Sequence, residues 1–291
     1  MSLKSHMLLI GWGFSAKRWV QDLDRAGWQI SATYRREEQR DEIERAGVSA
    51  TPFDDVEIWD GVTHCLSSVP PARDGSGDPV MQSHAEAMLR APKLAWVGYL
   101  SSVGVYGDHQ GVWVDEMSQQ NPNRNPARQL ADAAWRALHD DHGLPVHVFR
   151  LPGIYGPGRS PIERAASGQL QIIDAGDQVF NRVHVADIAG AVSAAIGNPH
   201  PGAVINICDD EPAPAALVNA HAYALLGMTP PASVKLEDAA LSPMARGFYS
   251  ENRRVRNDRM KALLHYTPQF PTYREGLADC FDAFRKRTSR G

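Results

Sequence analysis

Along the first half of the chain, short apolar runs alternate with stretches whose apolar residues recur at helical spacing. Met7–Ile10 is an unbroken apolar run; after a glycine turn, Trp19, Val20 and Leu23 mark one face of a helix reaching about Ala26. A second strand is predicted at Trp28–Tyr34, then a charged helix at Glu37–Ala46 closed by Gly47, then an extended segment at Val48–Phe53. Val62–Val69 reads as a strand running into Pro70 and Pro71, and Pro79–Leu89 as a helix. Leu94–Leu100 is a strongly apolar strand, Ala127–His139 a helix and Val146–Arg150 a strand. This alternation predicts an α/β fold with a doubly wound parallel sheet of the Rossmann type, because parallel neighbours need crossover helices and those crossovers are right-handed.

After Arg150 the pattern loosens, and Gly and Pro become dense through "LPGIYGPGRSP", a composition of loops that line sites. A strand at Ala203–Ile207 lies between helical stretches at Ala186–Ile196 and Ala215–Leu226, and a polar helix starts near Tyr273. The expected division is a dinucleotide-binding domain over 7–160 and a smaller C-terminal substrate lobe over 161–291, partly interleaved with the sheet.

Composition narrows the function classes. The chain has 291 residues, of which 43% are hydrophobic and 22% charged, with seven Trp and eight Tyr, which sets disorder aside. A formal charge of −4 gives no footprint for nucleic acid. The one basic cluster (Arg253, Arg254, Arg256, Arg259, Lys261) reads first as a helix end with solvated charges. Three scattered cysteines, Cys65, Cys208 and Cys280, suggest neither a disulfide framework nor a thiol metal site and fit a reducing, cytoplasmic location. No apolar run is long enough for a membrane span, and Met1–Met7 lacks the form of a signal peptide, reading instead as partly a cloning remnant outside the fold.

The turn after the first strand reads Gly11, Trp12, Gly13, Phe14, Ser15, Ala16, a GxGxxA pattern that opens a helix. The first glycine permits the tight turn, the second lets backbone approach a pyrophosphate, and the small third residue packs helix on strand, leaving the helix N-terminus aimed at the anion. About 20 residues further on, where an NAD site places a carboxylate, the second strand ends Thr33, Tyr34, Arg35, Arg36. Guanidinium groups there suit the 2′-phosphate of NADP, with NAD as the other candidate; the competing reading pairs Arg35 and Arg36 with nearby Glu37 and Glu38.

Four later segments, in order, resemble the extended short-chain dehydrogenase/reductases of the NAD-dependent epimerase/dehydratase group: "YLSSVGVYG" (99–107), "FRLPGIYGPG" (149–158), "NRVHVADIA" (181–189) and "NICDDEP". With the glycine turn they cover nearly the full chain. "VYGDHQGVWVDE" taken with "YSENRRVRNDR" looks closest to an atypical bacterial subgroup rather than to the sugar epimerases. The resemblance implies a Ser or Thr on the substrate oxygen, a Tyr as acid/base and a Lys four residues later. Ser102, four residues before Tyr106, matches the first role; the Tyr and Lys positions fall on Arg124 and Arg128. Arg128 retains hydrogen bonds for a ribose, but a guanidinium cannot replace a phenol in proton transfer.

The proton donor then has three candidates at carboxyl ends of strands, Tyr106, His109 and Tyr155, with Tyr106 joining Ser102 as the catalytic pair; each also has a packed or solvated reading. Ser67, Ser68 and Pro152 complete the expected cofactor contacts alongside Arg128. Arg182, His184 and Arg253 are the candidates for binding a small polar or anionic substrate, against a reading of Arg182 and its neighbours as ion pairs to Asp187 or Asp209. The scattered histidines lack ligand spacing, so no metal site is predicted, and "SSVGVYG" lacks the GxSxG elbow of a serine hydrolase. Two functions stand open: an NAD(P)-dependent oxidoreductase or epimerase/dehydratase, and a non-catalytic NADP(H)-binding sensor or regulatory module. The resemblance also implies a homodimer formed through paired helices.

Overall fold

A computed structural model describes residues 5–121 and 126–289. In chain order the strands are β1 (Ser5–Ile10), β2 (Trp28–Tyr34), β3 (Ser49–Pro52), β4 (His64–Ser67), β5 (Trp96–Ser102), β6 (Trp113–Val114), β7 (Val146–Leu151), β8 (Gly153–Tyr155), β9 (Ile173–Asp174), β10 (Arg182–His184), β11 (Val204–Asn206), β12 (Val234–Lys235) and β13 (Arg254–Val255). Seven of them form one parallel sheet in the order β11-β7-β5-β4-β1-β2-β3. The helices are α1 (Phe14–Asp22), α2 (Glu37–Arg45), α3 (Pro79–Arg90), α4 (Pro126–Asp140), α5 (Pro161–Ala166), α6 (Val185–Gly197), α7 (Ala215–Leu225), α8 (Pro243–Gly247), α9 (Asp258–Leu264) and α10 (Tyr273–Thr288).

β1 shows why its apolar run is unbroken. Met7 and Leu9 enter one core cluster with residues of α1 and α6, while Leu8 and Ile10 enter another with residues of α3 and α4. A strand covered on both faces cannot alternate apolar with polar. The strand also begins earlier than the sequence reading allowed: the His6 amide donates to Thr63 Oγ1 and its ring Nε2 lies 2.9 Å from Ser31 Oγ. Ser5 and His6 therefore belong to the fold.

The order of strands places a switch point at β1, with β2 on one side and β4 on the other. Chains leaving the two strands depart to opposite faces, and a crevice opens at their carboxyl ends. The sheet's outermost strand, β11, comes from the C-terminal half of the chain, so that half is tied to the sheet. Of the other C-terminal elements, α6 and α9 join the core on the sheet, while α5, α7 and α10 pack a separate cluster with Tyr155, Leu170 and Tyr273 among its members.

Beneath the carboxyl end of β5 lies a buried polar network. Arg150 on β7 grips Asp132 of α4 through two bonds, Nε to Oδ2 at 3.0 Å and Nη2 to Oδ1 at 2.8 Å. Ser101 Oγ donates to Asp132 Oδ2 at 2.7 Å. Arg150 Nη1 donates to the Tyr106 hydroxyl at 3.0 Å, and that hydroxyl donates to Asn206 Oδ1 at 2.7 Å. Burial opposes the Arg150 charge, but the Asp132 carboxylate outweighs it and holds the guanidinium above its ordinary value. The network ties β5, β7, β11 and α4 together and so fixes the floor on which the cleft is built.

Candidate active site

A cleft of about 1070 Å³ opens along the carboxyl ends of β1, β4, β5 and β7. Its wall begins at the glycine turn with Gly13, Phe14 and Ser15, passes Ser68, Ser102, Gly104 and Arg128, continues past Pro152, and ends at Arg182 and Arg253.

The turn has the geometry its sequence demands. Gly11 has φ +93°, a left-handed conformation, and a Cβ there would fall 3.0 Å from both Ser68 Oγ and Val69 Cγ2. Its amide donates to Thr33 Oγ1 at 2.9 Å, which locks the turn to the end of β2. Gly13 is the N-cap of α1 without a side-chain cap, so the free N–H groups of the first turn face the cleft's end. A Cβ on Gly13 would meet only Ser68 Oγ, at 3.8 Å, so the space above the turn is open to a ligand's phosphates. Ala16 is buried and packs against the sheet, the role of the third small residue.

Arg35 and Arg36 are exposed just past Tyr34, and Arg35 lays its guanidinium 3.8 Å above the Phe53 ring. Glu37 pairs with Arg40 instead, so the ion pairs to Glu37 and Glu38 that the sequence offered do not form. Neither arginine lines the cleft itself; both stand beside it at the strand next to the glycine turn.

Ser102 lies in the wall, and its Oγ accepts from the Gly104 amide at 3.1 Å, leaving its proton free for a ligand oxygen. Arg128 is its neighbour. A Cβ on Gly104 would sit 3.2 Å from Ser102 Oγ and 3.8 Å from Arg128 Cδ, so the bare glycine lets the two side chains converge. Arg124, at the expected tyrosine position, lies outside the described residues.

Several predicted residues are placed elsewhere. Tyr106 has no exposed surface, lies outside the cleft wall, and spends its hydroxyl on Arg150 and Asn206; burial pushes the phenol up to about 12. A ring on the 3₁₀ turn after β5 points into the core, so Tyr106 cannot be the exposed proton donor. His109 is held 3.1 Å from the carbonyls of Tyr106 and Gln119, also outside the wall. Ser67 is fully buried behind Ser68. His184 is corrected as well: fully buried, it caps α6 by accepting from the Ala186 amide, packs 4.0 Å from the Phe270 ring, and burial drives its pKa to about 4. It is a neutral structural imidazole, not a substrate contact.

Tyr155 differs from Tyr106. It lines the cleft, and among the described residues its buried hydroxyl has no hydrogen-bond partner; burial pushes its pKa well up. Gly276 on α10 makes room for it, since a Cβ there would fall 1.9 Å from the hydroxyl.

Arg182 and Arg253 do reach the cleft. Arg182 Nη1 donates to the carbonyls of Phe180 at 2.8 Å and Ala213 at 3.0 Å. Asp209 faces it, with burial raising the carboxyl strongly and Arg182 partly opposing that; Asp187 is bonded instead by Tyr266 and the amides of Gln269 and Phe270. Arg253 is carried in by β13, which pairs with β6, and it donates to the Gly107 carbonyl and to Glu251 Oε2 at 2.8 Å. The basic cluster is thus no solvated helix end: Arg254 bonds Gly111, and Lys261 pairs with Asp210 at 2.6 Å. Sequence reasoning missed Arg73, Arg159 and Arg164 in the wall, although Arg159 lies within the very Gly-Pro run it singled out as site-lining and Arg164 just beyond it.

Comparison with known proteins agrees with this geometry. The model of the NAD-dependent epimerase/dehydratase family matches residues 76–208. A solved protein of Silicibacter pomeroyi DSS, described as functionally unknown, is 42% identical and superposes with a TM-score of 0.88, covering 95% of this chain and 98% of its own. The chain belongs to the NAD-dependent epimerase/dehydratase family. A 3-diazoavenalumate denitrifying reductase of Streptomyces sp is 33% identical over 141 residues, 45% of each chain. UDP-glucuronic acid 4-epimerase of Bacillus cereus, solved with NAD, shares the family fold at a TM-score of 0.78 and 16% identity, covering 98% of both chains. The seven-strand parallel sheet flanked by helices is the Rossmann-like fold of these structures. Among the described residues no cluster could hold a metal, and no helix is long and apolar enough to cross a membrane.

Proposed function

We propose that this family member is an NADP-dependent oxidoreductase or epimerase/dehydratase-like enzyme acting on a small polar or anionic substrate. The carrying observation is the single cleft that runs from the glycine turn past Ser102 and Arg128 to Arg182 and Arg253. The residues present fit a dinucleotide. The free amides of α1 and the open space over Gly13 would hold its pyrophosphate, Ser68 and Pro152 would flank it, and Arg128 would bond the nicotinamide ribose. The bound cofactor supplies or accepts hydride. Ser102 donates its free proton to the substrate oxygen, Arg182 and Arg253 orient an anionic group, and Tyr155 is the phenol at the cleft wall that takes over the proton role assigned by sequence to Tyr106.

Preference for NADP rests on Arg35 and Arg36, which carry no ion pair among the described residues and stand where an NAD site has a carboxylate. Arg35→Ala should weaken NADPH about ten-fold or more and leave NADH nearly unchanged, since a hydrogen bond to a charged group contributes about 1.5–3 kcal/mol. Equal loss for both cofactors refutes the assignment.

The sensor reading has its own support, the guanidinium of Arg128 beside Ser102 where proton transfer calls for a phenol and an amine. Titration with NADPH and NADH, followed by aldehydes, ketones and nucleotide sugars, separates the two. Cofactor binding with turnover supports the enzyme, and binding without turnover supports the sensor. Family members paired through helices would bury Leu130 of α4, which is 69% exposed, and this supports a homodimer.

A further inference from the structure

The donor inventory of the cleft constrains its ligand further than charge alone. Among the described residues six arginines line it, Arg73, Arg128, Arg159, Arg164, Arg182 and Arg253, against one carboxylate, Glu251, which Arg253 already holds at 2.8 Å. Among the described residues no Asp and no Lys stand in the wall. The volume of about 1070 Å³ exceeds the roughly 300–1,000 Å³ of a site for one drug-sized molecule, so the cleft accommodates a second ligand beside a dinucleotide.

At the end remote from the glycine turn, two guanidinium groups and an aromatic pair come together. Phe180 and Tyr249 meet edge to face with centroids 5.1 Å apart. Arg182 Nη1 donates to the Phe180 carbonyl at 2.8 Å, which puts its guanidinium at this pair, and Arg164 shares the same cleft wall with both rings; both charges oppose the rise that burial gives the Tyr249 phenol. The Arg164 guanidinium has no hydrogen bond or ion pair among the described residues, and Arg182 uses only Nη1 on the protein, leaving its other side-chain nitrogens free. Val179, Val218 and Leu241 add apolar surface to the same wall.

The same end is poor in what a polyol needs. Sugar hydroxyls are donors as well as acceptors, and sites for them supply carboxylates and amides. Here the Asn181 amide is taken at both ends, by the Arg253 carbonyl at 2.9 Å and the Val255 amide at 2.7 Å. Asn219 Nδ2 is spent on the Gln171 carbonyl at 2.9 Å, so among the described residues Gln169 and Gln171 are the amides of the wall with neither end of the side chain engaged.

We infer that the substrate end of this cleft takes an organic carboxylate with an apolar or aromatic body, its carboxylate held by Arg164 and Arg182 and its body against Phe180 and Tyr249, rather than a nucleotide-linked sugar. The inference rests on the reading above that the dinucleotide occupies the glycine-turn end. A planar carboxylate matches the fork of a guanidinium, and the aromatic pair supplies the face for an apolar body.

The test is calorimetric titration of the full-length protein with 3-phenylpropanoate, its neutral amide and UDP-glucose, each with and without saturating NADPH. The acid should bind saturably, the amide and UDP-glucose at least ten-fold more weakly, and Arg164→Met should lose at least ten-fold for the acid while binding NADPH as the wild type does. Arg164 is an exposed residue of α5, so its variant folds where Arg182→Met, which loses two backbone bonds, is at risk. Equal binding of acid and amide, tighter binding of UDP-glucose, no saturable binding of the acid, or an unchanged Arg164→Met each overturns the inference. NADPH titrated alone keeps the two claims apart: loss of NADPH binding with retained acid binding defeats only the cofactor reading, and the reverse defeats only this one.

Discussion

Tyr106→Phe separates a structural tyrosine from a catalytic one. The substitution keeps the ring and opens no cavity, but it deletes a hydroxyl that accepts from Arg150 Nη1 at 3.0 Å and donates to Asn206 Oδ1 at 2.7 Å. Arg150 is 1% exposed and Asn206 fully buried, so water cannot replace the lost partner. Leaving a buried polar group unsatisfied costs about 1–3 kcal/mol, and here one charged donor and one amide acceptor are affected. Arg150 retains its two bonds to Asp132, and Asn206 Nδ2 retains its bond to the Arg256 carbonyl, which limits the expected loss to about 2–4 kcal/mol. That is a large fraction of the ordinary 5–15 kcal/mol of folding stability. Urea unfolding followed by tryptophan fluorescence reads it directly, with NADPH affinity measured on the same variant. The expected result is a lowered midpoint, unchanged slope and near-normal cofactor affinity. Unchanged stability together with a turnover loss of about 10²-fold or more, the range of a deleted general acid, would refute the structural assignment.

Tyr155→Phe should behave in the opposite way: its hydroxyl has no partner to orphan, so stability stays within about 0.5 kcal/mol while turnover falls, and an unchanged rate removes it as proton donor. Gly276→Ala should cost about 1–3 kcal/mol by driving a Cβ into the Tyr155 hydroxyl, and Tyr155→Phe should recover part of that loss in a double-mutant cycle; independent additivity would show that the two do not touch. Ser102→Ala should depress turnover without weakening NADPH, and an unchanged rate would exclude it from the substrate contacts. His147 gives a pH test. Burial drives its pKa to about 4; its Nδ1 lies 3.2 Å from the Val97 carbonyl and its Nε2 accepts from the His200 amide at 2.8 Å, so the folded state holds the ring neutral. The unfolded chain takes up a proton near pH 6.5 while the folded one does not, so stability falls as pH drops from 6.5 toward 4, by about 2 kcal/mol at pH 5. Wild type should therefore lose about 2 kcal/mol more than His147→Gln between pH 7.5 and 5 in urea unfolding, and parallel losses would contradict it.

The chain's periodicity was enough to specify the sheet. Trp28–Tyr34 forms the predicted strand residue for residue, and helix and strand limits elsewhere move by only a few positions, because segments buried on one or both faces must carry the matching apolar period. Local chemistry was legible too: Gly11 has positive φ, and Gly13, Phe14 and Ser15 open the cleft, since a tight turn before a helix depends on near neighbours alone. Which polar side chains reach a ligand was decided at longer range. Tyr106 and Tyr155 look alike in "VYG" and "IYG", yet one is claimed by Arg150 and Asn206, 44 and 100 residues away, while the other lines the cleft with its buried, unpartnered hydroxyl against Gly276. His184 and Arg182 are two residues apart on β10, yet only Arg182 lines the cleft, while His184 is buried against Phe270. Residues two apart on a strand share a face, so the local period does not separate these two; what stands against each is set by elements that arrive much later in the chain. Sequence alone determined the scaffold and the end of the sheet where the cleft opens; tertiary packing decided which hydroxyls and guanidinium groups are left without a protein partner in its wall.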